Sequence, residues 1–138
     1  MRKQVTGNGE QDEAPRTRSH RDLIVWQKAM DLTALIYVLS DKLPKSEMYG
    51  LSSQMQRAAT SVAANIAEGN ARGARKDYAR FIGIARGSAV ELETLIEVAV
   101  RIGRFDAVIA APALKLTDEV CRMLYALRAK LEKIEDFE

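Results

Sequence analysis

The chain has 138 residues, of which 47% are apolar and 29% charged, a balance typical of one soluble globular domain. Its 21 basic and 19 acidic side chains give a net charge of +2. This balance excludes a strongly basic nucleic-acid-binding tail and a strongly acidic, solvating protein. One cysteine excludes a disulfide framework, and one cysteine with one histidine excludes a structural zinc site. We therefore expect no metal and no other cofactor.

The first twenty residues differ from the rest of the chain. They carry mixed charges, two glycines and one proline, which predicts a flexible N-terminal tail over 1–20 and a folded unit over 21–138. The tail lacks the apolar core of a signal peptide, and no stretch reaches the roughly 18 apolar residues of a membrane span. We expect a cytoplasmic protein with no membrane partner.

Apolar residues at spacings of three and four predict two helices in the first half of the folded unit. The first is expected from about Asp22 to Lys42, with Asp22 as its N-cap. The second is expected from Ser52 or Ser53, as its cap, to about Asn70. Its central side chains are small, which allows another helix to approach closely.

Two further helices are predicted after a glycine-containing turn. The third runs from about Arg75 to Ile102, and the fourth follows Asp106 as its cap, with Pro112 in its first turn. Because the connections are short, neighbouring helices should be antiparallel. Nothing indicates a β-strand, so the predicted fold is all-α, an up-down-up-down antiparallel four-helix bundle.

The positive charge is concentrated around the turn between helices two and three. Residues 57–86 carry a net charge of +4, whereas 87–138 carry −3. A turn leading into a helix N-terminus adds backbone donors that suit phosphate groups. The alternative is an ordinary solvated end of the bundle, and no motif for sequence-specific readout accompanies the charge. The candidate nucleic-acid-binding residues are Arg72, Arg75, Lys76 and Arg80.

Polar side chains inside helices two and three predict hydrogen bonds that fix how these helices pair. Folding the chain at Arg72 brings Arg57 within reach of Ser88 and Glu91, and it brings Glu68 near the cations that begin helix three. The alternative is a carboxylate active site or a di-metal site. Bundle di-iron sites need Glu-x-x-His pairs, and the only histidine lies outside the bundle, so we predict no enzyme.

Several short segments form a series of motifs in a fixed order. They are Asp22-Leu23-Ile24-Val25-Trp26-Gln27-Lys28-Ala29, Leu43-Pro44, Tyr49-Gly50-Leu51-Ser52-Ser53-Gln54, Arg57-Ala58-Ala59, Asn65-Ile66-Ala67-Glu68-Gly69 with Arg72, Phe81, and Ala85-Arg86-Gly87-Ser88 with Glu91-Leu92-Glu93. Together, over about 21–131, they resemble the 23S rRNA intervening-sequence protein family. The candidate structural network drawn from these motifs comprises Arg57, Asn65, Glu68, Gly69, Arg86, Ser88 and Glu91.

Three positions depart from the family pattern. Met48 and Gln56 stand where the pattern usually has arginine, and Ala63 stands where it often has proline. These departures weaken any prediction of a continuous basic strip along helix two.

The resemblance implies a bacterial four-helix bundle without enzymatic activity that assembles into a ring, as a homopentamer. Members of the family were first noted as reading frames inside insertions in 23S rRNA genes. The family is similar to the accessory variability determinant of diversity-generating retroelements, a basic pentameric bundle that binds nucleic acid and a reverse transcriptase. The biochemical role of the family itself is not established.

Two functional hypotheses follow. The first is a non-enzymatic oligomeric bundle that binds RNA or DNA through the basic region at the turn between helices two and three. The second is a protein–protein adaptor or structural module without a nucleic-acid role, which the near-zero net charge favours. Helices with two apolar stripes exceed what one small core needs, which predicts self-association. The candidate interface residues are Tyr37, Tyr49, Tyr78, Gly83 and Gly87.

Overall fold

The computed structural model describes residues 19–136, with side chains as far as Lys133. This part of the chain contains four long helices and no β-strand, as the periodicity predicts. The four are α1 (Ile24–Ser40), α2 (Ser53–Arg72), α3 (Arg75–Arg101) and α4 (Ala107–Asp136). Each packs against the next in sequence, and α1 closes the bundle against α4, which confirms the up-down-up-down antiparallel arrangement.

The core is a single apolar cluster drawn from one face of each helix. In α3 the fully buried side chains follow the three-and-four spacing that defines one face of a helix. Buried alanines in α2, among them Ala58 and Ala59, let neighbouring helices approach closely, and the Ala59 carbonyl accepts a hydrogen bond from the Thr33 hydroxyl of α1 at 3.2 Å. None of the helices in the described residues combines the length and the apolar character of a membrane-spanning segment. The large side chains that are fully buried include Leu32, Ile36, Met55, Ile66, Tyr78, Ile82, Leu92, Ile96 and Leu124.

Two of the predicted helix caps are wrong. Asp22 lies in a short 3-10 turn (His20–Asp22), and the N-cap of α1 is Leu23, whose side chain accepts no capping hydrogen bond. Ser52 precedes α2 but already has helical backbone angles, because the π-helical turn Met48–Ser52 leads directly into α2. An N-cap needs both a polar side chain and an extended backbone at the same residue. Leu23 has the extended backbone without a polar side chain, and Ser52 has the polar side chain without the extended backbone.

The start of α4 agrees with the prediction at one residue and differs at another. The Asp106 carboxylate accepts a hydrogen bond from the Val108 backbone N–H at 2.9 Å, so Asp106 caps the helix. Pro112 lies inside the helix rather than in its first turn. Its missing N–H leaves the carbonyl of Val108 without that partner, and because Val108 is 78% exposed, water can hydrate the carbonyl.

The predicted tail lies largely outside the described residues, which begin at Ser19. Within them, the His20 ring lies edge-on to Trp26, with ring centroids 5.0 Å apart. The amide of Gln27 donates to the Arg21 carbonyl at 2.8 Å. These contacts fix the 3-10 turn against the first turn of α1.

Ion pairs between elements lie at the surface. Lys28 of α1 pairs with Glu119 of α4 at 3.0 Å, and Arg104 pairs with Glu47 at 2.8 Å. Exposed pairs of this kind contribute at most about 1 kcal/mol each. The buried apolar cluster therefore supplies most of the stability.

Burial of Tyr78 gives the folding equilibrium a pH dependence that can be tested. Burial raises the pKa of the Tyr78 hydroxyl, and the hydrogen bond that the Asn70 amide donates to it at 3.4 Å acts in the opposite direction. Because the folded state holds this proton more tightly, stability present below the ordinary tyrosine pKa of about 10 should be lost as the pH rises further. Urea unfolding from about pH 9 to about pH 11 should show a decline that Tyr78→Phe reduces. An equal decline in both proteins would contradict this assignment.

Candidate nucleic-acid interface

The turn between α2 and α3 gathers the predicted cations at one end of the bundle. Only Gly73 and Ala74 separate the two helices, and Gly73 has φ of 87°, in the left-handed region that glycine adopts without strain. The Ala74 carbonyl accepts the Tyr78 backbone N–H at 2.9 Å, which starts α3 at once. The last turn of α2 and the first turn of α3 therefore lie side by side.

Three of the four candidate cations are exposed. Arg72, Lys76 and Arg80 face solvent, and we call these three residues the basic end. Arg75 is buried, with 8% of its surface exposed, because it shares the inner face of α3 with Tyr78. The sequence prediction treated all four as surface residues, and for Arg75 the structure corrects it.

Carboxylates accompany the arginines of the basic end. Arg72 pairs with Glu68 at 3.4 Å and with Asp77 at 3.7 Å, and Asp77 also pairs with Arg80 at 3.3 Å. Glu68, which was predicted to lie near the cations that begin α3, pairs with Arg72 on its own helix. Because these pairs are exposed, they restrict the two guanidinium groups without strongly neutralising them.

Phe81 holds both guanidinium groups in place. The Cζ atoms of Arg72 and Arg80 lie 4.9 Å and 4.5 Å from the centroid of its ring. Such contacts contribute about 0.5–1 kcal/mol each at exposed sites. The basic end therefore presents two arginines fixed on one half-buried ring, with Lys76 exposed beside them.

A surface groove of about 520 Å³ extends from the basic end between α3 and α4. Arg128 enters it from α4 and pairs with Glu132 at 3.0 Å. The guanidinium of Arg128 lies over Gly83, where an added Cβ would come within 2.7 Å of its Cζ atom. Gly83 therefore packs against a side chain of its own subunit. The charged residues that line the groove are Lys76, Asp77, Arg80, Arg128 and Glu132.

A second groove, of about 410 Å³, follows along the same two helices. The guanidinium Cζ of Arg86 lies 5.0 Å from the centroid of the Tyr125 ring, which is 62% exposed. Burial raises the pKa of the half-buried Cys121 thiol, Glu93 raises it further, and Arg86 opposes them. The thiol is therefore protonated at neutral pH and poorly nucleophilic. The residues that line this groove are Arg86, Val90, Glu93, Asp118, Cys121, Arg122 and Tyr125.

The predicted network between α2 and α3 is present in a different form. The Asn65 amide donates to the carbonyl and the hydroxyl oxygen of Ser61 at 2.8 and 3.0 Å, and the hydroxyls of Ser61 and Ser88 lie 2.8 Å apart. Arg57 and Glu91 are exposed and form no ion pair with each other in the described part of the chain. The turn is centred on Gly73 and Ala74 rather than on Arg72. Each residue of α2 therefore lies opposite a residue of α3 that comes later in the sequence than predicted, as the pairing of Ser61 with Ser88 shows.

Gly69 belongs to this contact between helices. It is buried, and an added Cβ would lie 2.8 Å from the Phe81 Cβ and 3.3 Å from the Tyr78 carbonyl oxygen. Close approach of α3 therefore requires glycine at this position. Arg86, the remaining network candidate, stacks on Tyr125 of α4 and does not face α2.

The candidate interface residues divide into two groups. Tyr37 is 47% and Tyr49 is 92% exposed, and an added Cβ at Gly87 would meet nothing within 4 Å. Tyr78 is 1% exposed, so its assignment to a subunit interface was wrong. Among the described residues, no group of three or more histidine, cysteine or carboxylate side chains could hold a metal ion.

Four antiparallel helices with a tight second turn and a glycine-mediated contact between α2 and α3 define a small bundle protein of a recognised class. The model of the 23S rRNA-intervening sequence protein family matches residues 21–126. The chain belongs to this family.

Solved structures agree on the fold. A protein of unknown function from the S23 ribosomal protein family of Bacteroides thetaiotaomicron superposes with a TM-score of 0.72 and is 24% identical. The match covers 76% of this chain and 98% of that chain, and at this identity it supports the fold alone. A comparison with curated proteins finds no match.

Proposed function

We propose that this bundle assembles with copies of itself and binds RNA or DNA through the basic end, without catalysing a reaction. The observation that carries the proposal is the exposure of Arg72, Lys76 and Arg80 together beside the α2–α3 turn. Arg75, which the sequence grouped with them, is not included, because it is buried. Binding of this kind depends on charge and not on base sequence.

Self-assembly allows subunits of modest charge to bind a polyanion tightly. Each basic end offers three cations, two of which share a carboxylate, so one copy alone holds a polyanion weakly. A ring repeats the basic end in each subunit, and linked weak sites gain affinity without new contacts. The resemblance to the accessory variability determinant supports a homopentamer, and exposed apolar side chains such as Tyr49 and Val38 support self-association.

Size measured with and without RNA tests the proposal. Sedimentation of the full chain at micromolar concentration should give a species several times the 15.3 kDa subunit, which RNA increases further at low salt. If three cations per subunit contact phosphates, the logarithm of the binding constant should fall with the logarithm of salt at a slope of about −2 per subunit. A monomer of 15.3 kDa contradicts the assembly, and no RNA binding by the oligomer at low salt contradicts the nucleic-acid role.

A protein–protein adaptor is the competing function. It is favoured by apolar side chains that remain exposed on one subunit, such as Val108 at 78% and Ile24 at 62%. Affinity capture from bacterial lysate separates the two functions. A protein partner retained after nuclease treatment, from a bundle that binds no RNA, supports the adaptor. We propose cytoplasmic residence for either function.

A further inference from the structure

We propose that the surface between α3 and α4 binds single-stranded nucleic acid, with arginines on its phosphates and Tyr125 stacked on a base. We call this surface the α3–α4 seam. The inference rests on the proposed function and adds to it the path of the strand and the class of ligand. The seam consists of Lys76, Arg80, Arg86, Arg122, Tyr125 and Arg128.

The seam is continuous with the basic end. Both grooves lie between the same two helices, the first along the beginning of α3 and the second farther along it. From Lys76 to Val90 the helix rises about 21 Å. A strand that meets Lys76 at the basic end can therefore continue past Arg128 to Tyr125 without leaving the surface of one subunit.

Two arginines of the seam, Arg122 and Arg128, are each held by a carboxylate that leaves donors available. Glu132 accepts from the Nε of Arg128, and Asp118 accepts from the Nε of Arg122 at 2.9 Å. A guanidinium has five N–H donors, so the terminal nitrogens remain able to bind a phosphate oxygen. Gly83 gives the Arg128 guanidinium its place on α3, because any larger residue would overlap it.

Tyr125 gives the seam an exposed aromatic ring on which a base can stack. Arg86 covers one face of the ring, and 62% of the residue remains exposed, which leaves room for a base on the other side. Strands held by proteins without sequence preference combine a basic groove with aromatic stacking. In a duplex the bases are already stacked and paired, so they cannot reach the ring.

Acidic residues beside the seam limit how tightly it binds nucleic acid. Asp77, Glu132, Asp118 and Glu93 line the same two grooves as the five cations of the seam, so the two grooves together carry a net charge of +1. A uniformly positive surface would hold a duplex by charge alone. Here stacking has to contribute, which makes the contribution of Tyr125 measurable.

Fluorescence anisotropy of the full chain with an oligouridine of about 12 nucleotides tests the seam at low salt. Tyr125→Leu should weaken binding about fivefold or more, whereas Tyr125→Phe, which keeps the ring, should bind like the natural chain. An RNA duplex of the same length should bind more weakly than the single strand. Equal affinity for duplex, or unchanged binding by Tyr125→Leu, overturns the seam.

A second set of variants tests Arg128 and its glycine. Arg128→Ala should reduce the salt slope by about 0.7, as expected for one lost phosphate contact on a single strand. The matched control is Arg101→Ala, an exposed arginine in the last turn of α3, which should leave the slope unchanged. Gly83→Ala, which displaces the guanidinium, should resemble Arg128→Ala, whereas Gly87→Ala has open space and should not.

The outcomes separate the two proposals. If the natural chain binds neither single strand nor duplex, the proposed function fails and the seam fails with it. If it binds and Arg72→Ala weakens binding while the Tyr125 and Arg128 variants have no effect, only the seam fails. Sedimentation of each variant should give the size of the natural assembly, so that a lost interaction is not confused with unfolding.

Discussion

Tyr78→Ala should lower the free energy of unfolding by about 4 kcal/mol, the cost typical of truncating a large buried aromatic side chain. Tyr78 is 1% exposed and is the largest of the fully buried side chains. Its ring packs where α3 meets Gly69 of α2, so truncation opens a cavity between α2 and α3. Urea unfolding at a fixed protein concentration measures the effect, because assembly would otherwise change the apparent stability.

Two other tyrosines provide the control for this experiment. Tyr37→Ala and Tyr49→Ala remove rings that are 47% and 92% exposed, and each should change the stability of the subunit by about 0.5 kcal/mol or less. Because both remain candidates for a subunit interface, their assembly size should be measured at the same time. A Tyr78→Ala protein as stable as Tyr49→Ala would contradict the burial of Tyr78.

Gly69→Val should be the most damaging of the glycine substitutions, with a loss of about 3 kcal/mol. Even the first added atom would lie 2.8 Å from the Phe81 Cβ and 3.3 Å from the Tyr78 carbonyl oxygen. Neither contact is the flexible end of a side chain, so α2 and α3 have to move apart. The displacement should also disturb the Arg72 and Arg80 guanidinium groups, which rest on the Phe81 ring.

Gly87→Val is the matched control for Gly69→Val. Both glycines lie in a helix, but an added Cβ at Gly87 meets nothing within 4 Å. Thermal or urea unfolding should therefore give a change of about 0.5 kcal/mol or less for the isolated subunit. If Gly87→Val reduces the size of the assembly without unfolding the chain, Gly87 lies at a subunit contact. Equal destabilisation by the two substitutions would contradict the close approach at Gly69.

The spacing of apolar residues was sufficient to predict the four helices, because burying one face of a helix requires apolar residues every three or four positions along its whole length. The predicted start of α3 at Arg75 agrees with the structure, and its predicted end at Ile102 differs by one residue. The caps were less predictable. Asp22 has the right side chain for an N-cap, but a 3-10 turn occupies its position, and such turns leave no clear mark in a sequence.

The candidate site was only partly predictable, for two physical reasons. The clustering of charge in the sequence identified the exposed cations Arg72, Lys76 and Arg80. Which cation of a cluster faces the core depends on its position around the helix, and at Arg75 that position is buried. Arg128 was missed because it comes near the others only through the pairing of α3 with α4. Gly83 gave a signal of this contact, because glycine is unfavourable in the middle of a helix and indicates close packing. The sequence alone did not show that the packed group is the Arg128 guanidinium.

The two-residue link between α2 and α3 also constrains how this chain can change length. Each residue added to a helix advances its phase by about 100°. Gly73 is buried and Ala74 already bonds to α3, so the link has no slack to absorb an insertion. An extra residue there would rotate Tyr78 out of the core or force the helices apart. Insertions and deletions should therefore accumulate in 41–52 and 102–106 and spare the Gly73–Ala74 link.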